Sequence, residues 1–148
     1  MTVPDEVARL VTGFPGFDAE EQAFPFLTVD LRGFPHVALL SRSELDVSPR
    51  GDLVAVISSR NTNHHLKRAG RATLIAVEGT SGHYLKLQVV HVETTGDLVG
   101  YRFRVSEYKR DSVGISLTPI GFRTTAELSE TEQWARSRAL LDELSIIK

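Results

Sequence analysis

A cluster of hydroxyl, amide and guanidinium side chains directly follows a wholly apolar run, residues 53–57. The next residues are helix-like and stop at Gly70, a residue type suited to the left-handed conformation that ends helices. A strand that leads into a helix start presents free backbone N–H groups and the positive end of the helix dipole, which together suit a phosphate. A guanidinium can add two parallel hydrogen bonds to a phosphate monoester. The cluster consists of Ser58, Ser59, Arg60, Asn61 and Thr62.

The same residues also suit an ordinary helix cap. Serine and asparagine are preferred at the N-cap because their side-chain oxygens accept hydrogen bonds from the first free N–H groups of the helix. Helix caps are far more common than phosphate sites, so the residues alone are compatible with either interpretation.

The segment around this cluster resembles a motif of the FMN-binding split-barrel superfamily, typified by pyridoxamine 5'-phosphate oxidase. Residues 65–74 read His-Leu-Lys-Arg-Ala-Gly-Arg-Ala-Thr-Leu. They are similar to the family's Asn-Leu-Arg-Arg-Asn-Pro-Arg-Val-Ser-Leu, with His65 in place of Asn and Gly70 in place of Pro. A weaker similarity in the order of the elements extends over residues 24–105.

The resemblance implies FMN as the cofactor and places its phosphate at the cluster. Ser58, Ser59 and Arg60 match the family's phosphate-binding residues by type, and Asn61 lies beside them. Thr62 stands where the family has a second basic residue, so the hydroxyl is kept and a charge is lost. This departure predicts either a weaker affinity for FMN or a different grip on the phosphate.

The resemblance also implies contacts to the isoalloxazine ring from two other strands. His36 and Ser41 (or Arg42 in place of Ser41) match polar positions on one family strand. Lys86 is expected to lie against the flavin on a later strand, with Tyr84 as the second choice. Without the resemblance, these positions fit the polar ends of a half-buried strand and the exposed face of another strand equally well.

The turn signals and apolar runs predict a mainly β fold. A helix-like connector follows the third strand, and terminal helices are predicted over residues 4–12 and after residue 129. We expect a single domain over residues 1–148, a six-stranded antiparallel Greek-key split barrel with N-terminal, connector and C-terminal helices. Closure into a barrel would remove the edges that the long strands otherwise expose. The predicted strands are residues 24–30, 35–45, 53–58, 71–78, 83–93 and 98–108.

Two local patterns refine this prediction. Ser129 and Glu132 have the spacing of a capping box, which places the start of the last helix there. Arg102 and Arg104 alternate with apolar residues on a strand, which predicts that both arginines face solvent. The apolar stripe of the last helix consists of Trp134, Leu140, Leu141, Leu144 and Ile147.

Composition removes several classes of function. A formal net charge of −2 provides no bulk field for nucleic acid or an anionic membrane. The absence of cysteine excludes disulfides, thiolate metal sites and cysteine nucleophiles. The five histidines lack the spacing of metal ligands, so no metal is predicted. Neither a signal peptide nor a membrane span is indicated, and we expect a cytoplasmic protein.

The resemblance implies an FMN-dependent oxidoreductase, in which the flavin supplies the redox chemistry without a visible catalytic side chain. No catalytic residue and no substrate can be assigned. The alternatives are a flavin or small-ligand binding module without turnover, and a structural dimer that has lost the ligand. A homodimer is expected, because split-barrel relatives build the flavin site between two subunits. Residues 72–77 are also nearly continuously apolar and need cover on both faces.

Overall fold

The structure is a computed structural model that describes residues 1–146 and contains nine strands and four helices in those residues. In chain order the elements are α1 (Asp5–Val11), β1 (Glu20–Gln22), β2 (Phe24–Val29), β3 (Pro35–Leu40), β4 (Leu45–Val47), β5 (Leu53–Ile57), α2 (Arg60–Ala69), β6 (Arg71–Glu78), β7 (Ser81–Thr95), β8 (Leu98–Ser112), β9 (Gly121–Arg123), α3 (Ala126–Thr131) and α4 (Trp134–Ile146). Within residues 1–146, every helix is too short or too polar to cross a lipid bilayer.

Seven of the strands form one curled antiparallel sheet in the order β3-β2-β6-β7-β8-β5-β4. The remaining two, β1 and β9, form a small antiparallel ribbon. The predicted fold class is therefore confirmed: the chain is mainly β, antiparallel and curled into a barrel-like sheet, with few helices. The strand count is higher than the six predicted, because one predicted strand is divided and two short ones were missed.

The divided strand is the predicted run of residues 35–45. The structure interrupts it after Leu40 with a tight turn, in which the backbone N–H of Glu44 donates to the carbonyl of Ser41 at 3.0 Å. The turn separates β3 at one edge of the sheet from β4 at the other edge. This turn carries the chain between the two edges of the curled sheet.

The core lies on the concave face of the sheet, which is closed by α1. Every residue of β5 is buried, and β6 alternates between buried and half-buried positions. The inner cluster contains the largest buried rings, including Phe24, Phe26, Tyr101 and Phe103. A second, smaller cluster forms on the outer face of β5, where Val54 and Val56 pack against the leucines of α4.

The C-terminal region differs from the prediction in how its helices begin. Thr125, rather than Ser129, caps α3, because its hydroxyl accepts the N–H of Leu128 at 3.0 Å. A separate helix, α4, then begins at Trp134. The predicted stripe is confirmed for the residues that are described, since Trp134, Leu140, Leu141 and Leu144 are all buried, whereas Ile147 lies outside the described residues.

The prediction that both arginines of β8 face solvent is wrong for one of them. Arg102 is buried and its Nε donates to Asp52 Oδ2 at 2.8 Å, whereas Arg104 is exposed as predicted. Arg102 pairs in register with Val54, which lies in the cluster covered by α4. The predicted alternation of apolar and polar residues on β8 is present, but the strand pattern contains no information on the helix that covers this face.

Gly100 provides a test of how closely α4 packs on the sheet. A Cβ at this position would lie 2.6 Å from Cδ1 of Leu144 and 3.0 Å from Leu140, so Gly100→Ala should force the helix away. We expect a loss of ~1–3 kcal/mol in the free energy of unfolding, measured by urea denaturation. Gly16→Ala is the control, because nothing lies within 4 Å of the added Cβ. Equal stability of the two variants would contradict this packing.

Candidate functional site

The predicted cluster lies where β5 ends and α2 begins. Ser59 is the N-cap of the helix: its hydroxyl accepts the N–H of Thr62 at 3.3 Å, and its carbonyl accepts the N–H of Asn63 at 3.0 Å. Gly70 ends the helix in the left-handed conformation, with φ of 68°. The sequence therefore located both ends of α2 correctly, and the capping interpretation holds for Ser59.

The capping arrangement leaves other donors at the helix start available. Arg60 and Asn61 are exposed, and within residues 1–146 their side chains take part in no hydrogen bond or ion pair. Their backbone N–H groups belong to the first turn, which has no acceptor inside the helix. One free guanidinium, one free amide and the positive end of the helix dipole are a donor set that fits a phosphate monoester.

Thr62 lies in a different environment from Arg60. It is fully buried, and its Oγ1 is a buried oxygen without a hydrogen-bond partner among the described residues. An unpartnered buried hydroxyl is unfavourable. The structure therefore places the Thr62 hydroxyl in the interior, away from the solvent-exposed donors of the helix start.

Ser58 opens onto a small cavity of about 220 Å³ beside the helix start. Three carboxylates line this cavity together with Ser58, those of Glu44, Asp97 and Glu132. These acidic side chains make this side of the strand end less suited to a phosphate, although Asp97 is paired with Arg136. The charge distribution therefore favours a phosphate on the Arg60 side of the helix start.

Glu44 is the most perturbed acid at this site. The pKa of the Glu44 carboxyl is raised to about 7, mainly by burial and to a smaller extent by the nearby Glu132 carboxylate, while a hydrogen bond from the backbone N–H of Ser41 opposes the rise. That N–H donates to Glu44 Oε1 at 3.1 Å. The sequence patterns did not identify Glu44 as a site residue. The available signal was an acidic residue between the apolar residues Leu40 and Leu45.

Ser41, a predicted flavin contact, is buried in the turn between β3 and β4. Its hydroxyl shares a hydrogen bond with the hydroxyl of Ser43 and lies 3.4 Å from Glu44 Oε1. Ser41 is therefore connected through Glu44 to the cavity that Ser58 lines. Arg42, the alternative to Ser41, is instead held by two 2.7 Å hydrogen bonds to the carboxylate of Glu21.

His36, the other predicted residue of this strand, faces the middle of α2. Its ring meets the ring of His65 edge-on, with centroids 5.0 Å apart. His65 is buried, and its Nδ1 lies 2.8 Å from the hydroxyl of Thr28. Burial is the main cause that lowers the pKa of His65, and electrostatic interactions with the neighbouring His36 and Arg68 lower it further. His36 therefore contacts the middle of α2 and not its first turn.

Lys86 lies far along β7 from the register position at which β5 ends. It is exposed on β7 and pairs with Glu107, with Nζ 2.9 Å from Oε2. Ile57 pairs with Val99, which pairs with Thr94 at the far end of β7. At ~3.3 Å per residue, Lys86 lies ~25 Å along the strand from Thr94. The contact of Lys86 with a flavin held at Arg60 stays a prediction.

No protein-family profile matches the chain. It is 27% identical over 108 residues to YclD, an uncharacterized protein of Bacillus subtilis (strain 168), in a match that covers 72% of this chain and 65% of YclD. The chain thus spans less than two thirds of the length of this relative.

Solved structures show the same fold. The flavin reductase of styrene monooxygenase (SMOB) from Pseudomonas putida S12 superposes with a TM-score of 0.55 at 12% identity, covering 70% of this chain and 86% of that one. An F420 reductase superposes with a TM-score of 0.54 at 12% identity, covering 72% and 98%. The chain therefore has the split-barrel fold of flavin and F420 reductases, and the predicted resemblance is confirmed at the level of the fold.

The shifted pKa of Glu44 makes a prediction about stability. With a pKa near 4.5 unfolded and about 7 folded, this carboxyl stabilises the fold fully below pH 4.5, and that contribution is lost as the pH rises through 7. Above pH 7 the fold must hold a buried charge, at a cost of up to ~3 kcal/mol. The free energy of unfolding of Glu44→Gln, relative to that of wild type, should therefore be higher at pH 8 than at pH 5.

Urea denaturation of both proteins at pH 5 and pH 8 measures this difference. Glu107→Gln is the control, because it removes an acid from an exposed ion pair that contributes little to the free energy of unfolding. An equal effect of Glu44→Gln at the two pH values would show that the Glu44 carboxyl does not titrate in this range.

Proposed function

We propose that the chain binds FMN at the start of α2 and acts as a flavin-dependent oxidoreductase on a substrate still to be identified. The observation that carries the proposal is the free guanidinium of Arg60 at an open helix N-terminus in a split barrel. The similarity in fold to a flavin reductase and an F420 reductase supports a flavin-type cofactor. FMN, when bound, would supply the hydride chemistry.

The residues of this chain would then bind and orient the cofactor. Arg60 and the first N–H groups of α2 would neutralise and hold the phosphate, with Asn61 beside them. Ser59 serves mainly to cap the helix, and so keeps these N–H groups pointing outward. Ser58 would contact the phosphate only from the edge of the acidic cavity, which limits its contribution.

We expect Arg60→Ala to weaken FMN binding roughly ten- to a hundredfold, because a hydrogen-bonded charged pair is worth ~1.5–3 kcal/mol. Arg71→Ala is the control, since Arg71 is also exposed but lies just beyond the opposite end of α2. Titration of FMN with each protein, followed by flavin fluorescence, gives the affinities. Equal binding by wild type and Arg60→Ala would refute this phosphate site.

Turnover is tested separately from binding. Anaerobic addition of NADH or NADPH to the FMN-loaded protein should bleach the flavin absorbance if the protein is a reductase. Binding without bleaching by either nucleotide would favour a flavin carrier or sensor over an enzyme that uses these donors.

We further propose that two copies of the chain form a homodimer through the outer face of β2 and β3. Val37 and Leu39 are each 53% exposed on this face, next in register to Leu27 and Pro25. An exposed apolar strip of this kind is typical of an interface. The resemblance to split barrels, in which two subunits build the flavin site, also favours a homodimer.

Charges placed on this face should therefore separate the two copies. We expect wild type to sediment as a dimer at micromolar concentration and the double variant Val37→Asp, Leu39→Asp to sediment as a monomer. Val113→Asp is the control, because Val113 is 46% exposed but lies beyond the end of β8. A monomeric wild type would refute the homodimer.

A further inference from the structure

An aromatic groove separate from the helix start lies between the segment after α1 and the beginning of α4. We define it by Phe14, Phe17, Trp134 and Arg136, which line an open, largely apolar volume of about 670 Å³. Volumes of this size are typical of small-molecule sites, which combine apolar walls with a few polar groups. Neither the proposed phosphate site nor the core of the barrel uses these residues.

The three rings of the aromatic groove are arranged around Trp134. The ring of Phe17 is nearly parallel to that of Trp134, with centroids 5.9 Å apart and an interplanar angle of 9°. The ring of Phe14 meets Trp134 edge-on at 5.6 Å. These are the two preferred geometries of aromatic pairs, so the groove presents an ordered aromatic surface.

Phe17 is far more exposed than a core residue. It is 63% exposed, whereas Trp134 is 6% exposed. The tryptophan therefore covers only part of Phe17, and a large fraction of this ring remains in contact with water. An exposed phenylalanine already held in a stacking geometry can extend the stack to a further ring.

The backbone beside the two stacked rings adopts an uncommon conformation. Within residues 1–146, the two non-glycine residues with positive φ are Asp18, at 56°, and Gln133, at 53°. Each of them directly precedes or follows one of the stacked rings, Phe17 and Trp134. Side-chain-bearing residues adopt this conformation at a cost in free energy, and such positions concentrate at functional sites.

The aromatic groove is distinct from the acidic cavity but shares a wall with it. Gln133 lines both, and an ion pair joins Arg136 of the groove to Asp97 of the cavity. Arg136 is the one basic residue among the described residues that line the groove, and it is already paired with Asp97. Recognition in the groove must therefore come from ring stacking and apolar contact.

From this arrangement we propose that the aromatic groove binds the planar aromatic ring of a small molecule, stacked on Phe17. A planar aromatic ring matches the exposed π face of Phe17, whereas a saturated ring of the same size lacks the quadrupole that favours stacking. This second site is independent of the phosphate contact at Arg60. Its proposed ligand is a small molecule that contacts the aromatic groove alone.

The groove contains the single tryptophan of the chain, so tryptophan fluorescence reports on it directly. Benzamide, titrated into the millimolar range expected for so small a ligand, should change this fluorescence in a saturable way. Cyclohexanecarboxamide, with the same amide and a saturated ring, should not. Equal saturable responses to the two compounds would overturn the stacking proposal, and so would the absence of a saturable response to benzamide.

Phe17→Leu tests the role of the ring, since it keeps apolar bulk and removes the π face. We expect it to weaken benzamide binding roughly three- to tenfold. Phe34→Leu is the matched control, because Phe34 is 58% exposed on the turn between β2 and β3. Thermal unfolding confirms that both variants are folded. Unchanged benzamide affinity in folded Phe17→Leu would overturn the proposal.

Testing each variant with the ligand of the other site distinguishes the two sites. Arg60→Ala should bind benzamide as wild type does, and Phe17→Leu should bind FMN as wild type does. Loss of benzamide binding in folded Arg60→Ala would refute an independent aromatic site, whatever the result for FMN.

Discussion

The architecture depends on the burial of β5 on both faces. Leu53, Ala55 and Ile57 lie in the inner core, while Val54 and Val56 pack outward against α4. Complete burial of an aliphatic side chain contributes ~1.5–3 kcal/mol, so this short strand is a large source of stability. Its position fixes where the chain must leave the sheet, and α2 begins at that exit.

The exit of β5 places opposite charges on two sides of one strand end. Arg60 and the first N–H groups of α2 are positive and exposed on one side. On the other side, Glu44 and Asp97 approach from neighbouring turns and Glu132 from the end of α3. The exposed donors therefore lie at the helix start, while burial in the cavity beside it raises the pKa of the Glu44 carboxyl to about 7.

The long strands separate the sites on this molecule. Strands β7 and β8 carry fifteen residues each, so groups at their two ends belong to different surfaces. Lys86 lies eight residues along β7 from Thr94, whose partner Val99 pairs with the last residue of β5. The covering helix α4 then creates a third surface, the aromatic groove, where Trp134 meets the segment after α1.

The sequence by itself determined the fold class, the course of most strands and both ends of α2, because these depend on local periodicity, apolar runs and glycine at a positive φ. It also located Arg60 at an open helix start, since a cap needs only neighbouring residues. Tertiary structure decided what distant segments bring together. Arg102 is paired with Asp52, the pKa of Glu44 is raised by burial and then by Glu132, and the ring of His36 contacts that of His65. No pattern within a single strand carries this information, because each of these contacts joins residues that are far apart in the chain.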